Sequence, residues 1–263
     1  MKSNRTMKSF HALRLVTLVV SLAALGLTAR AQTPTARTVF DSMIEALGGK
    51  AYLGVKEIQA TGRFFNFRRD EVSASDLYSE YMSLPDKRRL EFGKEKEKTI
   101  QINRAGEGWH VKPAAKRNAP PDVTPQAARE TQAFQDEMEL AFEYVSRFVI
   151  NAPKTSLVSG GSELVEYKRC DVLEIRDAEK NLLRVYVDRQ TRLPLKLQMR
   201  RANESSILEK TWANWHKFEG VMTPLLEVQY RDGVKVMEIR IEKVAYNPGF
   251  SESLFAPPAA ASK

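Results

Sequence analysis

The chain has 263 residues, 43% of them hydrophobic and 28% charged, with a formal net charge of +8; this is a globular composition, not that of a disordered or low-complexity protein. Lys2, Arg5, Lys8, Arg14 and Arg30 supply five positive charges with no acid among them, so residues 32–263 carry 36 basic against 33 acidic side chains. That near balance argues against a nucleic-acid partner, and a single cysteine, Cys170, rules out an intramolecular disulfide.

The basic start is followed by an uncharged apolar run from Leu15 to Leu27 and then Ala29-Arg30-Ala31, the order of a secretory signal peptide cleaved near Ala31. A membrane anchor would need about 20 apolar residues, and this run is shorter. Residues 1–31 therefore read as a signal peptide and 32–263 as one exported domain. Cys170 lies far from the new N-terminus, which argues against a lipid anchor attached there.

Val39, Phe40, Met43, Ile44 and Leu47 recur at helical spacing, with Thr33-Pro34 ahead and Gly48-Gly49 behind, and predict a helix from Pro34 to Leu47. From Lys56 the pattern alternates: Ile58, Ala60, Gly62 and Phe64, then Leu90 and Phe92, then Ile100 and Ile102, as strands do. Residues 113–121 read as a loop containing Lys116 and Arg117. Thr124-Pro125 then opens the strongest helical stripe, through Phe134, Met138, Ala141, Phe142, Val145, Phe148 and Val149, with Glu130, Asp136, Glu137, Glu139 and Glu143 on the remaining surface.

The second half reads as six strands: 163–176, 182–188, 193–201, 206–217, 223–231 and 234–246. Gly160-Gly161, residues 188–192 and Asp232-Gly233 are turn signals. In the last strand Val234 and Val236 share one parity and Ile239 and Ile241 the other, which predicts a bulge near Met237. Helix, strands, helix, strands is the order of an α+β fold in which a curved antiparallel sheet carries its helices on one face.

No constellation for covalent or metal chemistry stands out. His110 and His216 each neighbour a tryptophan and sit apart from any Ser-rich elbow, and no His, Cys, Asp or Glu spacing matches a metal site. Cys170 reads as a small buried residue on a strand. No catalytic residue, metal or cofactor is therefore assigned. What stands out is the number of large apolar side chains on alternating strands and on one helix, which fits either a packed core or a lipid-binding concavity.

Several stretches resemble the periplasmic lipoprotein carrier superfamily, LolA/LolB-like, and in particular outer-membrane lipoprotein-sorting proteins. They are the leader with the helix ending Ala46-Leu47-Gly48-Gly49-Lys50; Ile58-Gln59-Ala60-Thr61-Gly62-Arg63-Phe64; the run from Tyr186 to Leu197; Phe218-Glu219-Gly220-Val221-Met222-Thr223-Pro224; and Tyr246-Asn247-Pro248-Gly249 leading to Leu254-Phe255. The resemblance implies an incomplete antiparallel β-barrel, a curved half-barrel sheet covered on its concave face by helices, with a hydrophobic cavity for acyl chains. It places the carriers' cavity arginine on no one position here.

The expectation is a periplasmic carrier or chaperone that holds lipid or lipoprotein acyl chains and meets a membrane-associated donor or acceptor protein. The strand pattern assigns the cavity lining to Phe64, Val185, Val187, Leu195, Leu197, Met199, Leu226, Val228 and Ile239. The helical stripe assigns a lid to Phe134, Met138, Phe142 and Val145. An envelope interaction module without lipid cargo is the alternative, and a hydrolase using His110 or His216 is the weaker third reading.

Overall fold

The computed structural model describes residues 34–94, 97–114 and 119–258; the signal peptide read at 1–31 lies outside them, as do Lys116 and Arg117. Helix α1 spans Ala36–Leu47 and starts where the Thr35 hydroxyl accepts from the Thr38 N–H. It stops at Gly48, whose φ of +126° suits a residue without a side chain, and Gly49 N–H donates to the Ile44 carbonyl. The short turn α2 is Lys50–Leu53.

Six strands follow: β1 Glu57–Arg68, β2 Glu71–Ser83, β3 Lys87–Phe92, β4 Thr99–Arg104, β5 Glu107–Lys112 and β6 Asp122–Pro125. Then come helix α3, Ala128–Glu139, and helix α4, Phe142–Tyr144, which runs into a wider π-helical turn, Val145–Val149. Seven more strands are β7 Ser156–Val165, β8 Lys168–Arg176, β9 Leu182–Asp188, β10 Pro194–Arg200, β11 Ile207–Phe218, β12 Val221–Arg231 and β13 Val234–Tyr246. The chain closes on a 3₁₀ turn, Glu252–Phe255.

All the strands join one curved antiparallel sheet that does not close, in the order β6-β5-β4-β3-β2-β1-β13-β12-β11-β10-β9-β8-β7. It consists of two meanders joined where β1 pairs with β13. The predicted strand from 163 to 176 is instead a hairpin of β7 and β8. Its turn, Glu166-Tyr167, has φ values of 47° and 64°. Both central residues are left-handed, as a two-residue hairpin matching the sheet twist requires, although neither is Gly or Asn. Asp232-Gly233 turns the same way, as its sequence signals, whereas Gly160-Gly161 lies within β7 at a register shift between Ser159 and Ser162.

The central seam carries two irregularities. Gln229 and Tyr230 pair with Met237 and Lys235, leaving Val236 extra, one residue from the predicted position. Thr61 and Gly62 pair with Lys243 and Ile241, leaving Glu242 extra. These bulges keep Ile239 and Ile241 on the same face as Ile58 and Ala60. Asn247 stitches the ends together: its side chain accepts from the Lys56 and Glu57 N–H groups at 2.7 and 3.1 Å. The convex face of β2–β4 is covered by the C-terminal segment, where the Phe250 ring meets Tyr81 and Phe255, each at 5.8 Å.

Gly62 makes the seam possible, because a Cβ there would lie 1.9 Å from the Arg240 carbonyl oxygen. Gly62→Ala is expected to cost about 2–3 kcal/mol of unfolding free energy by forcing the two meanders apart. Denaturant unfolding followed by circular dichroism checks it, and an unchanged midpoint would show that the seam yields.

Candidate functional site

The concave face has two halves of opposite chemistry. On β8–β10 it is apolar and filled. Val39, Phe40, Met43, Ile44 and Leu47 of α1 form one buried cluster with Leu173, Ile175, Val185, Val187, Leu197 and Met199. Phe142 and Val145 of α4 complete it, with the Phe142 ring 6.3 Å from both Tyr52 and Trp212. Burial of one such side chain is worth about 1.5–3 kcal/mol, so α1 is firmly held.

The other half, near the central seam, holds a cavity of about 50 Å³. Its floor is apolar: Ile58 and Ala60 of β1, and Ile239, Ile241 and Val244 of β13. Its walls are charged: Glu80, Arg88, Lys210 and Glu227 from the sheet, and Glu137 and Glu143 from the helices above. A wider groove of about 290 Å³ runs beside it, lined by Leu140, Leu208, Gln229, Val236 and Met237 among others; Glu137 lies on the wall of both.

Three arginines and a histidine organise the roof. Arg88 donates from Nε to Glu80 Oε1 and from Nη1 to Glu137 Oε2, both at 2.5 Å, and so ties β2, β3 and α3 together. Arg201, just after β10, bonds Asp136 and, at 3.1 Å, Glu139. His110 Nε2 of β5 lies 3.1 Å from Glu130 Oε1 at the first turn of α3. Arg147 of the π-helical turn donates to the Tyr52 carbonyl. Helix α3 buries only Met138; it is a strap held down by charge, with Asp136, Glu137 and Glu139 turned to Arg201 and Arg88.

Burial works against ionisation of Glu80, yet Arg88 and the Tyr78 hydroxyl hold its carboxyl below the usual range. Lys210 Nζ, 7% exposed as a residue, sits 3.2 Å from Glu227 Oε2. Glu143 has no basic partner within ion-pair distance among the described residues. Burial pushes its carboxyl up and nearby Glu227 adds to this, while its own backbone N–H and the more distant charges of Arg147 and Lys210 work the other way without reversing it. Thr223 Oγ1 and the Tyr246 hydroxyl bond each other at 2.6 Å on the cavity wall. Among the described residues no three His, Cys, Asp or Glu side chains come together as a metal site would.

Of the residues singled out from sequence, Ile239 lines the cavity and Phe64 stands on the same face, half-buried, with its ring 4.7 Å from Phe92. Val185, Val187, Leu197 and Met199 are sealed under α1 and α4. Leu195 is on the convex face with Cys170, Val172 and Tyr186, because the register shift between Pro194 and Lys196 turns it over. Leu226 and Val228 pair with Ala213 and Thr211 on that same convex face. Phe134 is half-buried on the strap, Met138 is buried beneath it, and Phe142 and Val145 belong to the filled half. The sequence reading passed over the charged wall: the arginine in the cavity is Arg88, opposite Lys210 and four glutamates.

No family model matches the sequence, and no curated protein matches it. Solved structures do share its fold. A DUF1329-family protein from Desulfovibrio piger matches at a TM-score of 0.58 and 14% identity, over 85% of this chain and 98% of that one. An outer membrane lipoprotein-sorting protein domain from Vibrio parahaemolyticus matches at 0.56 and 18%, over 84% and 97%. A LolA superfamily protein from Nitrosomonas europaea matches at 0.52 and 12%, over 86% and 99%. The chain has a LolA-like fold.

The charged wall makes two expectations. Arg88→Met, which strands Glu80 and Glu137, should lose about 3 kcal/mol of stability. Glu143 behaves in the opposite sense. Because folding raises its pKa, its contribution is intact below the ordinary glutamate pKa and is lost as pH rises through the folded value. Glu143→Gln should therefore raise the melting temperature near pH 7 and leave it unchanged near pH 4. A Glu143→Gln protein that melts earlier at neutral pH would mean the carboxylate has a stabilising partner.

Proposed function

We propose that this chain is a periplasmic carrier or chaperone, exported by a signal peptide cleaved near Ala31, that shelters the acyl chains of a lipid or lipoprotein between the α3–α4 strap and the concave face of the sheet. The observation that carries the reading is the cavity with its apolar floor opening beside the 290 Å³ groove, under a helix that buries a single side chain. The volume of that groove is near the lower end of the range for small-molecule sites. The fold shared with a lipoprotein-sorting domain supports the same reading.

Phe64 and Ile239 contact the cargo in this proposal, together with Leu140, Val236 and Met237 along the groove. Val185, Val187, Leu197 and Met199 enter it only as the wall on which α1 rests. An acyl chain of roughly 16 carbons gains on the order of 10 kcal/mol on leaving water, so no catalytic group is required to hold it. Among the described residues no helix is long and apolar enough to cross a membrane. In this reading the cargo is handed over by a membrane-associated donor or acceptor protein.

A second reading, a module that holds a protein, has its own observation. Strand β7 is a sheet edge that exposes Val158 and Leu164 beside unpaired backbone groups.

Lipid binding separates the two. Chain purified without denaturant should show bound lipid by native mass spectrometry and should release a fluorescent fatty-acid probe on adding lipid. Ile239→Glu, which places a carboxylate on the cavity floor, should weaken the probe at least about tenfold. Absence of both bound lipid and probe binding overturns the carrier reading and leaves the protein-holding one.

A further inference from the structure

An acyl chain alone does not explain the walls. Glu80, Glu137, Glu143 and Glu227 face one small cavity whose lining holds two cations, Arg88 and Lys210, while Arg147 acts on Glu143 from outside it. Arg88 is used by Glu80 and Glu137, and Lys210 by Glu227. Glu143 is left over at the rim, with burial raising its carboxyl. A cavity of about 50 Å³ admits a small polar group and excludes a chain. The missing charge is therefore a compact cation, and because no metal-like grouping exists among the described residues, an ammonium group with several N–H donors suits these carboxylates better than a bare ion.

An independent observation lies next door. Gln229 is 9% exposed and lines the groove, and its Nε2 has no hydrogen-bond partner. A buried donor left unpaired keeps its full desolvation penalty, so it calls for an acceptor. Gln229 follows Glu227 by two residues on the same face of β12, about 7 Å away. Lys210 pairs directly across from Gln229. Cavity and groove thus present, in line along one strand, an acidic seat, an amide donor and then the apolar side chains Leu208, Val236 and Met237.

Resting on the carrier reading above, we propose that the cargo is an amine-headed lipid whose primary ammonium sits between Glu143 and Glu227, whose ester or amide carbonyl accepts from Gln229, and whose chain follows the groove under the strap. An ammonium there neutralises the surplus carboxylate and lets Glu143 ionise with a partner. Selectivity for the head then comes from charge, while affinity comes from the tail.

The test compares two probes of nearly equal size by titration calorimetry at neutral pH: N-(2-aminoethyl)dodecanamide, which is charged, and N-(2-hydroxyethyl)dodecanamide, which is not. The intact protein should bind the amine about tenfold more tightly. Glu143→Gln, whose fold is verified by circular dichroism and melting, should bring the two within about twofold. Gln229→Leu should weaken both amides and leave dodecylamine, which has no carbonyl, unaffected. Equal binding of the two probes to the unmodified chain overturns the amine-headed cargo and keeps the carrier reading. A preference for the amine that survives Glu143→Gln overturns the proposed seat. Binding of neither probe overturns the carrier reading itself, and this proposal with it.

Discussion

Everything on the concave face follows from the pairing of the first strand with the last. Because β1 and β13 meet at the centre of the sheet, the two meanders end at opposite edges, β6 on one side and β7 on the other. The segment that joins them has to cross the whole face. Its crossing is α3 and α4, and so the strap is an obligatory consequence of the strand order and not an added lid. The seam is narrow because Gly62 brings β1 against the Arg240 carbonyl, and the bulges at Val236 and Glu242 point the floor residues inward.

Two helices cover this face by different physics. Helix α1 presents six buried apolar residues, Ala36, Val39, Phe40, Met43, Ile44 and Leu47, to the apolar cluster of β8–β10. Helix α3 spans the half where strand residues facing inward include Glu80, Arg88 and Lys210, and beside Met138 it sets the acids Asp136 and Glu137 against them. Charge buried this way pays back its desolvation only where partners are complete. Arg88 achieves that with two carboxylates and Lys210 with one, whereas Glu143 does not. That incomplete member of an otherwise paired set is the ground for the amine-headed cargo proposed above.

The sequence made the framework legible where a local signal existed. The α1 stripe with its glycine stop, the Asp232-Gly233 hairpin and the parity change in β13 each have a physical cause confined to a few residues, and each is where the pattern puts it to within a residue or two. The β7–β8 turn was hidden because Glu166-Tyr167 takes left-handed backbone without Gly or Asn. Strand β2 was hidden because its outer half, from Glu71 to Leu77, is exposed and mostly polar. The candidate site was hidden for a deeper reason. Glu80, Arg88, Lys210 and Glu227 alternate with their neighbours as solvated residues do, and only the register of strands more than a hundred residues apart turns them toward one cavity. One trace was available: Glu80 stands between Tyr78 and Met82 on a single strand face, an acid flanked by two side chains that seek burial.

The same contrast decides which element can open at least cost. Lifting α1 would expose six apolar side chains at about 1.5–3 kcal/mol each, on the order of 10 kcal/mol in all, comparable with the total stability of a domain. Lifting α3 exposes Met138 and gives to water the more exposed ion pairs with Arg201 and His110, while Arg88, the buried partner of Glu137, keeps Glu80. Low-cost local opening belongs to segments with few buried apolar contacts. The strap is that segment, and it lies over both the 50 Å³ cavity and the groove beside it. A chain entering the groove would replace the single apolar contact it displaces with many of its own. Once the strap reclosed over the amine-headed cargo proposed above, the ammonium would meet Glu143 and Glu227, and Arg88 would pair again with both Glu80 and Glu137.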